Sequence, residues 1–253
     1  LSPWAGRLLV VTTESAEERH AERPDTHLFE IPYATLSRMD RANLGLLLAT
    51  AKGLVSDQAD VVCVTGPRGQ QFDSITVTRP GPHVHAVFSK NREKGAADIA
   101  PAVILRILSL AVELASEGRE AQPIGATFVI GDTRQVQRRS LQLVLNPFHG
   151  FSRRLRNVLD PSLAETIKEF ALLDGAFIVQ ADGTALSAGT YLAPDSRVTD
   201  LSGGLGARHQ AAAGITADTR ALAITVSQST GTVTVFQNGG VMLTLERATM
   251  TRW

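Results

Sequence analysis

Short unbroken apolar runs and longer stretches of helical period take turns along this chain. Leu8-Leu9-Val10-Val11, within 6–13, and Val61-Val62-Cys63-Val64, within 59–65, have the length and composition of buried strands. Between them, 36–55 predicts a helix, with Ser37 as a cap and Gly53 near its end. Residues 72–78 alternate apolar and polar positions and predict a third strand. Strands separated by a helix make a small α/β unit. Arg79-Pro80-Gly81-Pro82 breaks it, and 91–95 is polar and charged. The boundary is therefore expected between 88 and 96, giving domains 1–92 and 93–253.

The second domain opens on a predicted helix over 98–118. Ile99, Val103, Ile107, Leu110 and Leu114 share one face, Asp98 is the expected cap, and Pro101 falls in the first turn. Residues 125–131 predict a strand, and 146–150 a turn. Asp160-Pro161-Ser162-Leu163-Ala164-Glu165 opens another helix, either with Pro161 at its first position or through a Ser162/Glu165 capping box. From Gly175 the period becomes that of strands. Runs at 176–179 and 184–188 flank Asp182-Gly183, which predicts a two-residue hairpin. A short helix is expected over 206–213 and a strand over 221–226. Turns at Ser229-Thr230-Gly231 and Asn238-Gly239 separate the last three strands. The expected fold class is α/β (α+β): a mixed central sheet flanked by helices, preceded by a smaller α/β domain.

Composition narrows the function classes. The 253 residues carry 25 basic and 25 acidic side chains, so net charge gives no case for nucleic acid or an anionic membrane as partner. A lone cysteine, Cys63, forms no internal disulfide and fits a cytoplasmic location. No apolar run reaches spanning length; even 99–114 is interrupted by Arg106, Ser109 and Glu113. The chain starts at Leu1 rather than Met, so an upstream segment is expected to have been removed.

The chemistry concentrates at Gly203-Gly204-Leu205-Gly206-Ala207-Arg208-His209-Gln210-Ala211. Three glycines lead into an alanine-rich helix whose first turn holds Arg208 and His209. Cations are disfavoured at the positive end of a helix dipole unless an anion is bound there. Backbone N–H groups, a guanidinium fork and an imidazole converging on one point suit phosphate. About thirty residues upstream, Asp174-Gly175-Ala176 places a carboxylate beside two residues without bulk, where a ligand can approach the backbone.

Residues from about Gly95 onward resemble a diadenylate cyclase domain. That family carries Asp-Gly-Ala, then Gly-Thr/Ala-Arg-His-Arg, then Ser-Glu before a turn. Here they stand in order as Asp174-Gly175-Ala176, Gly206-Ala207-Arg208-His209-Gln210 and Ser227-Gln228. The arrangement is most similar to archaeal-type cyclases, and 1–92 bears a faint likeness to the C-terminal domain of pyruvate kinase, implying a regulatory or assembly role. The resemblance implies condensation of two ATP into cyclic di-AMP and two pyrophosphates, with Mn2+ or Mg2+ as cofactor. Asp174, Arg208 and His209 are the implied catalytic residues. The nucleotide site comprises Asp174, Gly175, Ala176, Leu192, Gly206, Ala207, Arg208, His209, Gln210, Ala211 and Ser227, with Asp174 and His209 toward the metal. Gln210 stands where the family has a second arginine, and Gln228 where it has glutamate. The rival expectation is a domain that binds ATP or cyclic di-AMP as a sensor.

One domain offers one ATP site, whereas the product has two linkages. Two sites facing each other across a twofold axis solve that problem, so a homodimer or higher homo-oligomer is expected. His83 and His85, two apart, lack a third ligand and read as structural. Thr65-Gly66-Pro67-Arg68-Gly69 reads as a solvent turn. Cys63 reads as a small buried hydrophobe. Arg138-Arg139 and Arg153-Arg154-Arg156 read as solvated basic faces.

Overall fold

The computed structural model describes residues 8–12, 26–30, 38–51, 54–56, 58–66, 71–79, 98–116, 118, 122–196 and 206–246. Ser37, Gly53, His83, His85, Gly95, Gly203, Gly204 and Leu205 lie outside them. The described residues group into two compact units, 8–79 and 98–246.

The first unit holds β1 (Leu8–Thr12), β2 (Thr26–Glu30), α1 (Arg38–Ala51), β3 (Val61–Thr65) and β4 (Ser74–Thr78). β1 pairs parallel with β2, and β3 pairs antiparallel with β4. Strand β2 was not expected, because Thr26-His27-Leu28-Phe29-Glu30 has neither an apolar run nor clean alternation. On the β3–β4 hairpin the apolar face points outward. Val62 faces Val77 and Val64 faces Ile75, all four exposed, while Ser74, Thr76 and Thr78 are half-buried.

The second unit is built on one seven-stranded sheet. Its elements are α2 (Pro101–Ser116), β5 (Ala126–Ile130), α3 (Thr133–Arg138), β6 (Ser140–Gln142), α4 (Ala164–Phe170), β7 (Ala176–Val179), β8 (Ala185–Leu192), α5 (Ala207–Asp218), β9 (Leu222–Val226), β10 (Val233–Gln237) and β11 (Gly240–Leu245). The strand order is β11-β10-β9-β5-β7-β8-β6. Only β5 and β7 run parallel; every other neighbouring pair is antiparallel. All residues of β5, β7, β9 and β10 are buried, as a sheet covered on both faces requires, which is why their sequences read as apolar runs.

One face packs on α5 through Val129, Ile178, Ala223 and Phe236 against Ala212, Ala213 and Ile215. Phe128 and Phe177 stack at 4.8 Å, and Phe148 closes edge-on against Phe170 of α4. Helix α2 begins at Pro101, so Asp98 precedes the capping position. It is buried over most of its circumference, including Ile104, Leu108 and Val112, rather than along one stripe. At the second helix start, Asp160 is the cap. Its carboxylate accepts the Ser162 N–H at 3.0 Å, with Pro161 following, and a 3₁₀ turn over Pro161–Leu163 leads into α4. The Ser162/Glu165 box is not used; Glu165 instead pairs with Lys168 at 3.2 Å. The Asp182-Gly183 hairpin also differs from expectation. Only Gly183 is left-handed, with φ 90°, and Gln180 N–H bonds to Thr184, so the turn is longer than two residues. Asn238 and Gly239 both have positive φ, as a tight primed turn demands.

Candidate active site

Asp174 and Arg208, 34 positions apart, meet at the end of the sheet where β5 and β7 begin and β9 ends. The Asp174 carboxylate stands 3.6 Å from Arg208 Nη2 and is 88% exposed. One of its oxygens also accepts the Gly175 N–H at 3.0 Å. The carboxylate is therefore oriented yet open to a ligand. Gly175 has φ 108°, and a Cβ there would lie 2.6 Å from the backbone N of Thr190 on β8. Glycine is required at this position by both conformation and space.

Helix α5 starts at Gly206, whose backbone is extended and which caps without a side chain. A Cβ on Gly206 would meet no atom of the described residues within 4 Å. None of those residues blocks the helix start, where the N–H groups of Ala207 and Arg208 precede the helical ladder. Expected to end at 213, the helix runs on to Asp218, so its N–H groups carry a full dipole behind them.

The Arg208 guanidinium lies between two acceptors. Nη2 faces Asp174, and Nη1 donates to the Gln228 side-chain oxygen at 3.5 Å. Its Nε is buried without a hydrogen-bond partner among the described residues. His209 is 4% exposed and sits edge-on to Phe236, ring centres 6.0 Å apart. Burial pushes its imidazole pKa below the ordinary value, so the ring is neutral at pH 7. Its Nε2 also lacks a partner among the described residues. Buried polar atoms are nearly always paired, so both nitrogens are open to a partner from outside those residues.

These donors fit a divalent ion shared with a bound polyanion. A neutral imidazole and an exposed carboxylate are both suitable ligands, and phosphate oxygens and water commonly complete such a shell. No group of three or more His, Cys, Asp or Glu residues able to hold a metal occurs among the described residues, so the protein alone does not cage an ion.

The remaining residues expected at the site divide by exposure. Gly206, Ala207 and Gln210 are exposed at the helix start, and Ala211 is half-buried. Ser227 is half-buried in the turn after β9, its hydroxyl 3.2 Å from that of Ser229. Ala176 and Leu192 are buried in the α5-side core. Two neighbours of the guanidinium escaped the sequence reading. Gln228 stood out only as a replacement for the family's glutamate, yet it touches Arg208. Gly125 precedes β5 with no motif around it; its sole signal was a bare residue at the mouth of a strand.

The family model for the DisA bacterial checkpoint controller nucleotide-binding domain matches residues 113–241. A diadenylate cyclase from Haloferax volcanii is 34% identical over 221 residues, covering 86% of this chain and 79% of that protein. A diadenylate cyclase from Methanocaldococcus jannaschii is 36% identical over 200 residues, covering 78% of this chain and 63% of that protein. Among solved structures, a double mutant of DacA from Staphylococcus aureus aligns at 26% identity and a TM-score of 0.37, over 58% of this chain and 86% of that one. A hypothetical membrane spanning protein from Bacillus cereus aligns at 22% identity and a TM-score of 0.41, over 57% and 62%. The class these relatives define is that of nucleotidyltransferases. The chain belongs to the diadenylate cyclase family. Membership implies ATP as substrate and a divalent metal. No helix among the described residues is long and apolar enough to cross a membrane.

Proposed function

We propose that this chain joins two ATP molecules into cyclic di-AMP at paired sites, with Asp174 taking up the proton and Arg208 holding phosphate. The observation that carries this reading is the open Asp174 carboxylate 3.6 Å from the Arg208 guanidinium, beside the free start of α5. An uncharged 3′-hydroxyl is a weak nucleophile, and a carboxylate in hydrogen-bond reach makes it a better one. The hydroxyl oxygen of one ATP forms a bond to the α-phosphorus of the other. The bond from that phosphorus to the bridging oxygen breaks, pyrophosphate leaves with its electron pair, and the hydroxyl proton passes to Asp174. The same exchange in the reverse sense closes the ring, so two ATP give one cyclic di-AMP and two pyrophosphates. Arg208 and the α5 N–H groups stabilise phosphate charge, and most of the acceleration is positioning and charge compensation. A divalent ion, when bound beside Asp174 and His209, would offset triphosphate charge and polarise the α-phosphate.

Each chain supplies one such site, so turnover requires two copies facing each other. Residues 1–92 are assigned a regulatory or assembly role. Incubating the full chain with ATP and Mn2+ or Mg2+, with products read by mass, tests the reading. Cyclic di-AMP and pyrophosphate in a 1:2 ratio are expected, with none from Asp174→Asn. Tight ATP binding without product would instead make the domain a nucleotide sensor.

A further inference from the structure

The end of the sheet away from Asp174 holds a second group of polar side chains. The parallel strands β5 and β7 finish there, at Ile130 and Val179. Sheets with parallel strands commonly take ligands just beyond the carboxyl ends of those strands. A cavity of about 420 Å3 lies at this point, with Gly131, Asp132, Arg134, Arg153, Gln180 and Asp182 in its lining. Its volume falls within the range of small-molecule sites. The five residues of β5, at about 3.3 Å each, separate it from the Arg208 guanidinium by roughly 16 Å.

The charges in this cavity are unevenly answered. Asp132 accepts the Arg220 backbone N–H at 3.0 Å and stands 3.7 Å from Arg220 Nε. Asp182 accepts the Thr184 N–H at 2.9 Å. Both carboxylates are thus engaged within the protein. The guanidiniums of Arg134 and Arg153 make no hydrogen bond or close ion pair with the described residues. They come from separate places, the first turn of α3 and the start of the 3₁₀ turn over Arg154–Arg156. A carboxylate is filled by one guanidinium fork, whereas the three terminal oxygens of a phosphate can take two. Gln180 adds a different demand. Its backbone N–H bonds to Thr184 at 2.8 Å, but its side-chain oxygen is buried without a partner among the described residues. A buried acceptor in that condition calls for a donor.

We propose that this cavity is a second binding site, for a small phosphorylated molecule carrying a hydroxyl or amine donor: Arg134 and Arg153 hold its phosphate, and the Gln180 side-chain oxygen accepts from its donor. The site shares no residue with the one at Asp174 and does not depend on the nucleotide reading of it.

The test records backbone amide spectra of the full chain during titration with inorganic phosphate and with ribose 5-phosphate. Arg134 and Arg153 are exposed, so replacing them leaves the core intact. In the wild type both probes should shift the amides of Gly131 and Asp182, and ribose 5-phosphate should bind more tightly. Arg134→Ala and Arg153→Ala should each weaken both probes by about tenfold. Gln180→Met keeps the length but accepts weakly; it should weaken ribose 5-phosphate by about threefold and leave phosphate unchanged. Arg208→Ala should leave the responses of Gly131 and Asp182 as they are. Shifts confined to Gly175 and Gly206 would overturn the inference, as would wild-type affinity in both arginine variants. Loss of the Gly131 and Asp182 responses in Arg208→Ala would overturn it too, since the cavity would then only echo the other site. Equal affinity for the two probes in the wild type would remove the role given to Gln180.

Discussion

At the scale of single residues, unmet hydrogen bonds occur in contrasting settings among the described residues. Arg208 Nε and His209 Nε2 are buried without a partner in the first turn of α5. Thr127 and Thr225 have orphan hydroxyls deep in the sheet, facing each other on β5 and β9 at 2% and 0% exposure. Different substitutions should therefore have opposite effects. Arg208→Ala removes the guanidinium that answers phosphate, and titration with ATP should show affinity lowered by about tenfold or more, with turnover reduced. Thr225→Val keeps the shape and removes a buried donor that costs about 1–3 kcal/mol while unpaired. It should raise the melting temperature by about 2–4 °C; a lower melting point would mean that the hydroxyl has a partner. Arg208 and His209 drew attention in the sequence because a cation at a helix start demands an explanation, and Asp174 because its motif precedes theirs in the family's order. Gly125 drew none, since what lies across from it in space is not written locally.

At the scale of elements, α5 is held at both ends by different physics. Its start is left open, whereas at its far end the Asp218 carboxylate accepts N–H bonds from Asp195 at 2.6 Å and Ser196 at 3.1 Å. Burial alone would raise the Asp218 pKa. Those bonds and the nearby Arg139 outweigh it and hold the carboxyl below its ordinary range. A depressed folded-state pKa gives stability that is present above the unfolded value and lost as pH falls through the folded one. Asp218→Asn should therefore be less stable than wild type at pH 7, and the gap should narrow as chemical denaturation is repeated at increasingly acid pH. The long elements were readable because each carries its own signal, such as the runs in β5 and β9. Helix α3 was missed because, within Thr133–Arg138, only Val136 is apolar and buried. The three residues of β6 show no alternation to read and gain their identity from pairing with β8.

At the scale of the whole molecule, the order of strands was beyond the sequence. Strand β9 inserts beside β5, placing Gln228 next to Gly125 across about a hundred residues, and nothing local announces that pairing. The proposed two-copy mechanism makes a prediction at this scale. Turnover per chain should fall on dilution, in step with loss of the larger species by sedimentation; constant specific activity down to a pure monomer would refute the pairing. The sheet also restricts how two copies meet. On one flank, the β8 carbonyls of Ala185, Leu186 and Ala188 are taken by the side chains of Arg156, Asn146 and Gln142 at 2.6–2.8 Å. On the other, β11 carries a register shift against Val235 and Phe236. Neither border is a straight template for another strand. The proposed pairing of copies is therefore expected through the ends and faces of the sheet rather than as a strand-by-strand ribbon, and one of those ends holds Asp174.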